Sequence, residues 1–249
     1  DCPVCSARIS HERKEELEQA LKIWRNKGGF IAMITYTVRH NKGNNLDELK
    51  NACTEAVRYV KSGAPYKRKK EKYNIQGSVT ATEVTYSLIN GWHFHKHELI
   101  FYETWIKDQE KFETWLYERY NRKLNSMGFD SMQRIGVKLV VDTVDDDNYL
   151  SEYFTKWGLQ DELTNVYKKA DNGGLNPFEF LDDKKYYHLY LEYSNTMKGA
   201  RRLVWSRGFR KLLKLEEEKL DLEIVEEEIE EQEREVIFRI NNREWYFII

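Results

Sequence analysis

The feature of this sequence that most restricts its fold is a run of alternating histidines. His93, His95 and His97 lie within residues 91–100, GWHFHKHELI. Because successive side chains of a β-strand point to opposite faces, a strand here places all three imidazoles on one face, with about 6.6–7 Å between alternate residues. Imidazole nitrogen suits borderline metals, so two of these rings can bind one cation. We therefore predict a metal-binding β-strand.

The segment before the histidines completes a predicted hairpin. Residues 78–87 are rich in Val and Thr, and Asn90-Gly91 is a strong hairpin signal. Glu83 lies on this preceding strand, where its carboxylate could balance the charge of a cation held by two imidazoles. The alternative role of Glu83 is a solvated strand carboxylate. Glu98 is a sequence neighbour of the histidines, but alternation places it on the opposite face.

Hydrophobic spacing predicts helices and strands in alternation along the chain. The helices cover residues 10–25, 46–61, 112–124 and 149–157, and the strands cover residues 30–38, 78–87, 92–101 and 133–141. A hairpin together with long helices between other strands favours an α+β fold. We expect an antiparallel sheet with helices on one face, in a ferredoxin-like or RNA-recognition-like topology, and then a mostly helical C-terminal extension.

We divide the chain into three regions. Residues 1–27 form an N-terminal helix with a partial zinc knuckle, residues 28–174 form the core domain, and residues 175–249 form the extension. Cys2 and Cys5 are the cysteines of a Cys-x-x-Cys pair, half of a zinc site whose other ligands we expect upstream. The alternative is a pair of reduced thiols. No apolar run approaches the roughly 20 residues that span a bilayer, so we expect a cytoplasmic protein without membrane contact.

The charge of the chain is nearly balanced. Forty Lys and Arg residues face 42 Asp and Glu residues, so DNA binding would depend on local basic patches. Two segments, residues 66–73 and 198–214, combine basic and aromatic side chains; their alternatives are a solvated loop and an amphipathic helix. The acidic run 216–235 cannot lie on DNA. The candidate phosphate-binding residues are Lys67, Arg68, Lys69, Lys70, Arg201, Arg202, Arg207 and Arg210.

A pair of tyrosines follows the last predicted strand of the core. Tyr149 and Tyr153 are four residues apart, so on a helix their hydroxyls share one face, and Lys156 lies one turn further. Tyrosine is a weak nucleophile at neutral pH because its phenol titrates near about 10. An aromatic stripe is more often part of a core than of a catalytic site, so a catalytic role depends on the histidine strand lying nearby.

Taken together, these motifs resemble those of the HUH endonucleases, specifically the replication initiators (Rep proteins) of rolling-circle plasmids. The matching segments are residues 30–40 (FIAMITYTVRH), 91–100 and 150–156 (LSEYFTK); the Cys-Pro-x-Cys start and GARRLVWSRGFRK look similar as well. Two positions depart from the family pattern. Lys96 lies between the two paired histidines where a hydrophobic residue is usual, and Phe94 replaces the usual Pro.

The resemblance implies a role for each residue of the site. His95 and His97 would be the metal-binding pair and Glu83 the third ligand, with His93 as an alternate ligand. Tyr153 would be the nucleophile, Lys156 its cationic helper, and Tyr149 a second nucleophile for the closing strand transfer.

The implied activity is metal-dependent nicking and rejoining of single-stranded DNA through a 5′-phosphotyrosine, which initiates and terminates rolling-circle plasmid replication. Mn²⁺ or Mg²⁺ would serve the nuclease site, and Zn²⁺ the N-terminal knuckle. The partners would be single-stranded origin DNA, a host DNA polymerase and, since no Walker motif is present, a host helicase. The alternatives are a relaxase or single-strand transposase of the same chemistry, a non-catalytic zinc-dependent DNA-binding module, and a metal phosphodiesterase that activates water.

Overall fold

A computed structural model describes residues 3–130, 133, 136–141, 174–201 and 203–226 of the chain. Five antiparallel strands form one sheet in the order β4-β1-β3-β2-β5, so the histidine strand β3 is central. The strands are β1 Phe30–Thr37, β2 Ile75–Ser87, β3 Gly91–Tyr102, β4 Val137–Val141 and β5 Leu203–Trp205. The predicted hairpin is therefore present as β2 and β3.

Seven α-helices accompany the sheet in the described residues. They are α1 Pro3–Asn26, α2 Leu46–Val60, α3 Gly63–Tyr73, α4 Gln109–Ser126, α5 Tyr187–Met197, α6 Phe209–Leu213 and α7 Asp221–Glu226. Two 3₁₀ turns, Pro177–Asp182 and Lys184–Tyr186, precede α5. The predicted α+β class, antiparallel sheet and helical C-terminal region are confirmed. No described helix combines the length and the apolar character needed to span a membrane.

The larger hydrophobic core lies between the sheet and helices α2 and α4. Helix α2 buries residues at a spacing of three and four, the pattern of an amphipathic helix, and Asn45 caps it by accepting a hydrogen bond from the Glu48 amide. From β3, Phe94 and Ile100 point into this core, where they are 1% exposed. The sequence predicts helices on one face of the sheet, and this is the face that α2 and α4 cover.

A second, smaller core covers part of the other face. Leu21 and Trp24 of α1 and Phe209 of α6 pack against Leu99 and Phe101 of β3. The Trp24 and Phe101 rings meet edge to face with their centroids 5.9 Å apart. These apolar residues occupy one end of the face, and the three histidines occupy the other end, because alternate residues of β3 share a face.

Two segments differ locally from the sequence prediction. The basic segment around Lys69 is helical, as α3, because Gly63 adopts a positive φ of 70° and turns the chain into a new helix after α2. The second basic segment is divided into β5 and α6 by Gly208, whose φ is 78°. Helix α1 also begins earlier than predicted, at Pro3.

We predict that Gly77→Ala destabilises the protein by about 1–3 kcal/mol through overpacking. A Cβ at this position of β2 would lie 2.1 Å from the Phe209 ring, although the backbone φ of Gly77 suits any residue. Urea unfolding measures the change in the free energy of unfolding.

The control is a double-mutant cycle with Phe209→Ala. In that background the clash is removed, and Gly77→Ala should become neutral or stabilising because it restricts the unfolded chain. An equal loss of stability in both backgrounds would contradict the docking of α6 on β2.

Candidate metal centre

Strand pairing brings a carboxylate opposite the histidine row. In the sheet register, Glu83 of β2 pairs with His95, and Thr37 of β1 pairs with His95 from the other side. Directly paired residues of antiparallel strands carry their side chains on the same face, with Cβ atoms about 4.5–5.5 Å apart. The register therefore places Glu83 beside the imidazoles rather than on the solvated outer face.

Three predicted ligands converge into one cluster. Each of Glu83, His95 and His97 offers one ligand atom, and these atoms lie within 4.8 Å of one another. His97 is the most deeply buried, at 1% exposure, and its Nε2 lies 3.3 Å from Oε2 of Glu83. The structure thus brings together the residues for which the sequence predicts metal binding.

A threonine of the neighbouring strand orients the buried histidine. Oγ1 of Thr35, which pairs with His97 in the register, lies 3.0 Å from Nδ1 of His97. When Nδ1–H donates to this hydroxyl, the lone pair of Nε2 is directed towards Glu83. Metal-binding histidines characteristically donate their second nitrogen in this way, which fixes both tautomer and ring orientation.

The environment of His95 keeps its imidazole neutral. Burial lowers the pKa of His95 well below its usual value, and the positive charge that His93, His97 and His40 can carry lowers it further. Nδ1 of His95 is buried and makes no hydrogen bond within the described residues. A buried, neutral imidazole with a free nitrogen is a ready metal ligand, because binding does not first require loss of a proton.

The donor set fits a divalent cation. Ligand atoms bound at about 2.0–2.2 Å from one ion lie no more than about 4.4 Å apart, so the observed cluster needs to contract by only a few tenths of an ångström. Imidazole nitrogens suit borderline cations such as Zn²⁺, and a carboxylate oxygen suits Mn²⁺ and Mg²⁺, so this mixed donor set can hold any of these divalent cations. The cluster, its burial and the orphaned nitrogen of His95 all agree with a metal site.

The third histidine of the row lies at the edge of the cluster. Nε2 of His93 lies 2.7 Å from Nε2 of His95 and 3.4 Å from Oγ1 of Thr37. Its ring also contacts that of His40, with centroids 4.5 Å apart. Burial lowers the pKa of His93 to about 4. This position is consistent with the supporting or alternate role predicted for His93.

The two departures from the family pattern lie on the other face of the sheet. Phe94 packs in the larger core, and Lys96 is partly buried there, where burial lowers the pKa of its ammonium. Glu98 is also on that face, 1% exposed, and forms an ion pair with Lys61. Lys96 and Glu98 therefore do not contribute to the cluster, in agreement with strand alternation.

The basic residues predicted to bind DNA lie in different surroundings. Lys67, Arg68, Lys69 and Lys70 are on α3, on the face of the sheet opposite the histidines, where the Lys69 ammonium lies 5.4 Å from the centroid of the Trp115 ring. Arg201 and Arg207 are exposed.

Arg210 makes contacts within the protein. It forms an ion pair with Glu16 at 3.2 Å, and its guanidinium lies 5.0 Å from the Trp205 ring. DNA contact by all these residues stays a prediction.

Several predicted site residues lie outside the described part of the chain. They are Tyr149, Tyr153, Lys156, Arg202 and Cys2. Cys5 lies on α1. The proximity of the tyrosines to the histidine row therefore stays a prediction, as does the zinc knuckle.

The sequence interpretation did not assign roles to Thr35, Thr37 or His40. The first two alternate on β1, as the histidines do on β3, so the sequence could have placed both threonines on one face of that strand without specifying its partner. His40 lies three residues after the end of β1, and its Nδ1 lies 3.0 Å from the Val38 carbonyl oxygen.

Comparison with known proteins supports the predicted resemblance. Residues 1–117 match the family model described as a replication protein. "Protein rep" of Streptomyces lividans is 28% identical over 288 aligned positions, which cover 86% of this chain and 62% of that protein. "Neomycin resistance protein" of Streptomyces cyanogenus is 28% identical over 123 positions, 40% of this chain and 28% of that protein.

The chain thus spans less than two thirds of the length of either relative. No solved structure matches it. The matched residues 1–117 include β1, β2 and the histidine strand β3, so the similarity covers the whole Glu83–His95–His97 cluster.

We predict that Thr35→Val lowers the affinity for Mn²⁺ by about tenfold or more, because loss of a residue that orients a ligand typically costs 10–100-fold. Thr37→Val is the matched control, since Thr37 contacts His93 instead of His97. Isothermal titration of each variant with Mn²⁺ measures the dissociation constants. A loss of affinity in Thr37→Val alone would make His93, and not His97, the ligand.

Proposed function

Since the chain is related to the replication proteins over residues 1–117, we propose that it initiates plasmid replication by cutting one DNA strand with a tyrosine at a metal site. The reaction is a metal-dependent nicking and rejoining of single-stranded DNA of the HUH type. The observation that carries this proposal is the convergence of Glu83, His95 and His97 on one face of the sheet.

The three clustered residues would hold Mn²⁺ or Mg²⁺. The bound cation would neutralise charge on the oxygens of the scissile phosphate. Glu83 supplies the negative charge of the site, and Thr35 fixes the orientation of the His97 ring. The low exposure of His97 limits the access of water to this part of the site, so a phosphate would approach from the more exposed Glu83 side, at 27% side-chain exposure.

Tyr153 would be the nucleophile. Its phenol gives up its proton to solvent, and the phenolic oxygen forms a bond to phosphorus. The bond from phosphorus to the 3′ oxygen breaks, and the departing oxygen takes up a proton from solvent to become a 3′-hydroxyl. The phosphodiester energy is retained in the 5′-phosphotyrosine, so rejoining by the reverse reaction requires no nucleotide cofactor. Lys156, three residues further along the chain and on the same face of the predicted helix, would stabilise the phenolate, and Tyr149 would act in the closing transfer.

The proposed partners follow from this reaction. The substrate is single-stranded origin DNA, a host polymerase extends the 3′-hydroxyl, and a host helicase separates the strands. β5 pairs with β2 so that Leu203 lies opposite Ala81, two residues before Glu83 on β2. Arg201, exposed on the protein surface, would contact a phosphate of the bound strand.

We predict that Tyr153→Phe abolishes the covalent adduct with a labelled single-stranded oligonucleotide in the presence of Mn²⁺, because the variant lacks the attacking oxygen. Tyr149→Phe is the matched control and should retain the first cleavage. Denaturing electrophoresis detects the adduct, and peptide mapping locates it. An adduct that persists in Tyr153→Phe and disappears in Tyr149→Phe would exchange the two roles.

The same assay separates the proposal from other activities. A metal phosphodiesterase that activates water would cut the strand in Mn²⁺ without any adduct. A zinc-dependent binding module would retain the DNA and leave it intact. Either result in the unmodified chain would contradict the tyrosine mechanism.

We predict that His97→Ala abolishes cleavage, while His188→Ala, which changes an exposed histidine of α5, leaves it unchanged. Removal of one nitrogen ligand from a three-residue cluster leaves too few protein donors to hold the cation. Initial rates in Mn²⁺, with and without chelator, measure the effect. Full activity in His97→Ala would exclude the cluster as the catalytic centre.

A further inference from the structure

A polar groove lies directly beside the histidine row. Its volume is about 740 Å³, and it is formed by the chain after β1, the first turns of α2 and the chain after α4. His40 is one of its walls, and the His40 ring contacts that of His93. The groove and the metal cluster are therefore linked through two neighbouring imidazoles.

The hairpin fixes the position of one groove wall. Gly91, at the start of β3, has a φ of 80°, and a Cβ at this position would lie 2.9 Å from Cα of Lys42. The chain between β1 and α2 thus packs closely against the base of the hairpin that carries the histidines.

The groove combines an apolar surface with carboxylates. Met127 and Phe129 are partly buried against the larger core and line the groove, so one aromatic ring, that of Phe129, forms part of its wall. Asp47, Glu48 and Glu55 line the α2 side. Arg39 also lines the groove, where it forms an ion pair with Asp130 at 3.8 Å. The carboxylates outnumber this single cation, so the groove disfavours phosphate, whereas an uncharged base can stack on an aromatic ring.

We propose that this groove binds a nucleobase next to the scissile phosphate and selects a base with an exocyclic amine. The inference rests on the proposed function, because it requires single-stranded DNA at the metal cluster. A carboxylate accepts a hydrogen bond from N4 of cytosine or N6 of adenine. Thymine presents a carbonyl oxygen at the corresponding position, which a carboxylate repels. The groove would therefore contribute to recognition of the origin sequence.

Cytosine and thymine provide the cleanest comparison because both are pyrimidines. Fluorescence anisotropy with short labelled strands of deoxycytidine or thymidine, in the presence of Mn²⁺, measures binding by the full chain. Tyr149→Phe and Tyr153→Phe together prevent cleavage during the measurement. We expect about tenfold tighter binding of the deoxycytidine strand, the effect of one good base contact.

The variant that tests the groove is Glu48→Gln combined with Glu55→Gln. Each amide can donate a hydrogen bond to the thymine carbonyl, so the preference should fall to about twofold or less. Glu48 is exposed and Glu55 is half-exposed, so the fold does not depend on either charge. Glu118→Gln, an exposed change on α4 outside the groove, is the control and should retain the preference.

Equal binding of the two strands by the chain with its carboxylates intact would overturn the inference. So would a preference that survives in the Glu48→Gln, Glu55→Gln variant. Mn²⁺ titration and adduct formation, measured separately on the unmodified chain, test the proposed function. Normal metal binding and cleavage without a base preference would overturn only the proposal that the groove selects a base. A base preference without a covalent adduct would overturn only the proposed tyrosine reaction.

Discussion

The candidate site depends on the pairing register of β1, β3 and β2. A shift of one residue would move every side chain of a strand to the other face and separate Glu83 from the imidazoles. The apolar ends of the same strands hold the register. Leu99 and Phe101 pack beneath Trp24 of α1, and Ile100 packs in the opposite core. A slipped strand would turn the histidines into the larger core and would move Glu98 away from Lys61, which leaves buried polar groups without their partners. The hydrophobic half of the histidine strand thus positions its polar half.

The two faces of the central strand β3 carry different polar groups, imidazoles on one face and an ion-paired carboxylate on the other. On one face, burial lowers the pKa of His93 and His95, which keeps imidazoles neutral and able to bind a cation. On the other face, Glu98 is paired with Lys61, and Tyr36 lies within 3.5 Å of the same carboxylate. Glu98 is thereby satisfied by protein partners, whereas Nδ1 of His95 is buried without a hydrogen bond in the described part of the chain. Strand alternation places Lys96 on the face opposite Glu83, so its ammonium does not compete with a cation for that carboxylate.

The sequence predicted the features that depend on local pattern. Alternation identified the histidine strand, Asn90-Gly91 identified the hairpin, and together they placed Glu83 within reach of His95. The role of Thr35 was missed because it pairs with His97 across 62 residues, and no local pattern specifies that register. Helix α3 was missed because Gly63 reverses the chain and begins a helix where a turn was expected. The predicted helix with Tyr149 and Tyr153 is supported by its sequence motif alone, because residues 142–173 are outside the described structure.

Anomalous diffraction from a crystal of the full chain soaked in Mn²⁺ tests the central claim most directly. We expect a single strong peak in this region, bonded at about 2.0–2.2 Å to nitrogens of His95 and His97 and to an oxygen of Glu83. A peak held by His40 and His93, with Glu83 turned to solvent, would contradict the account of the site.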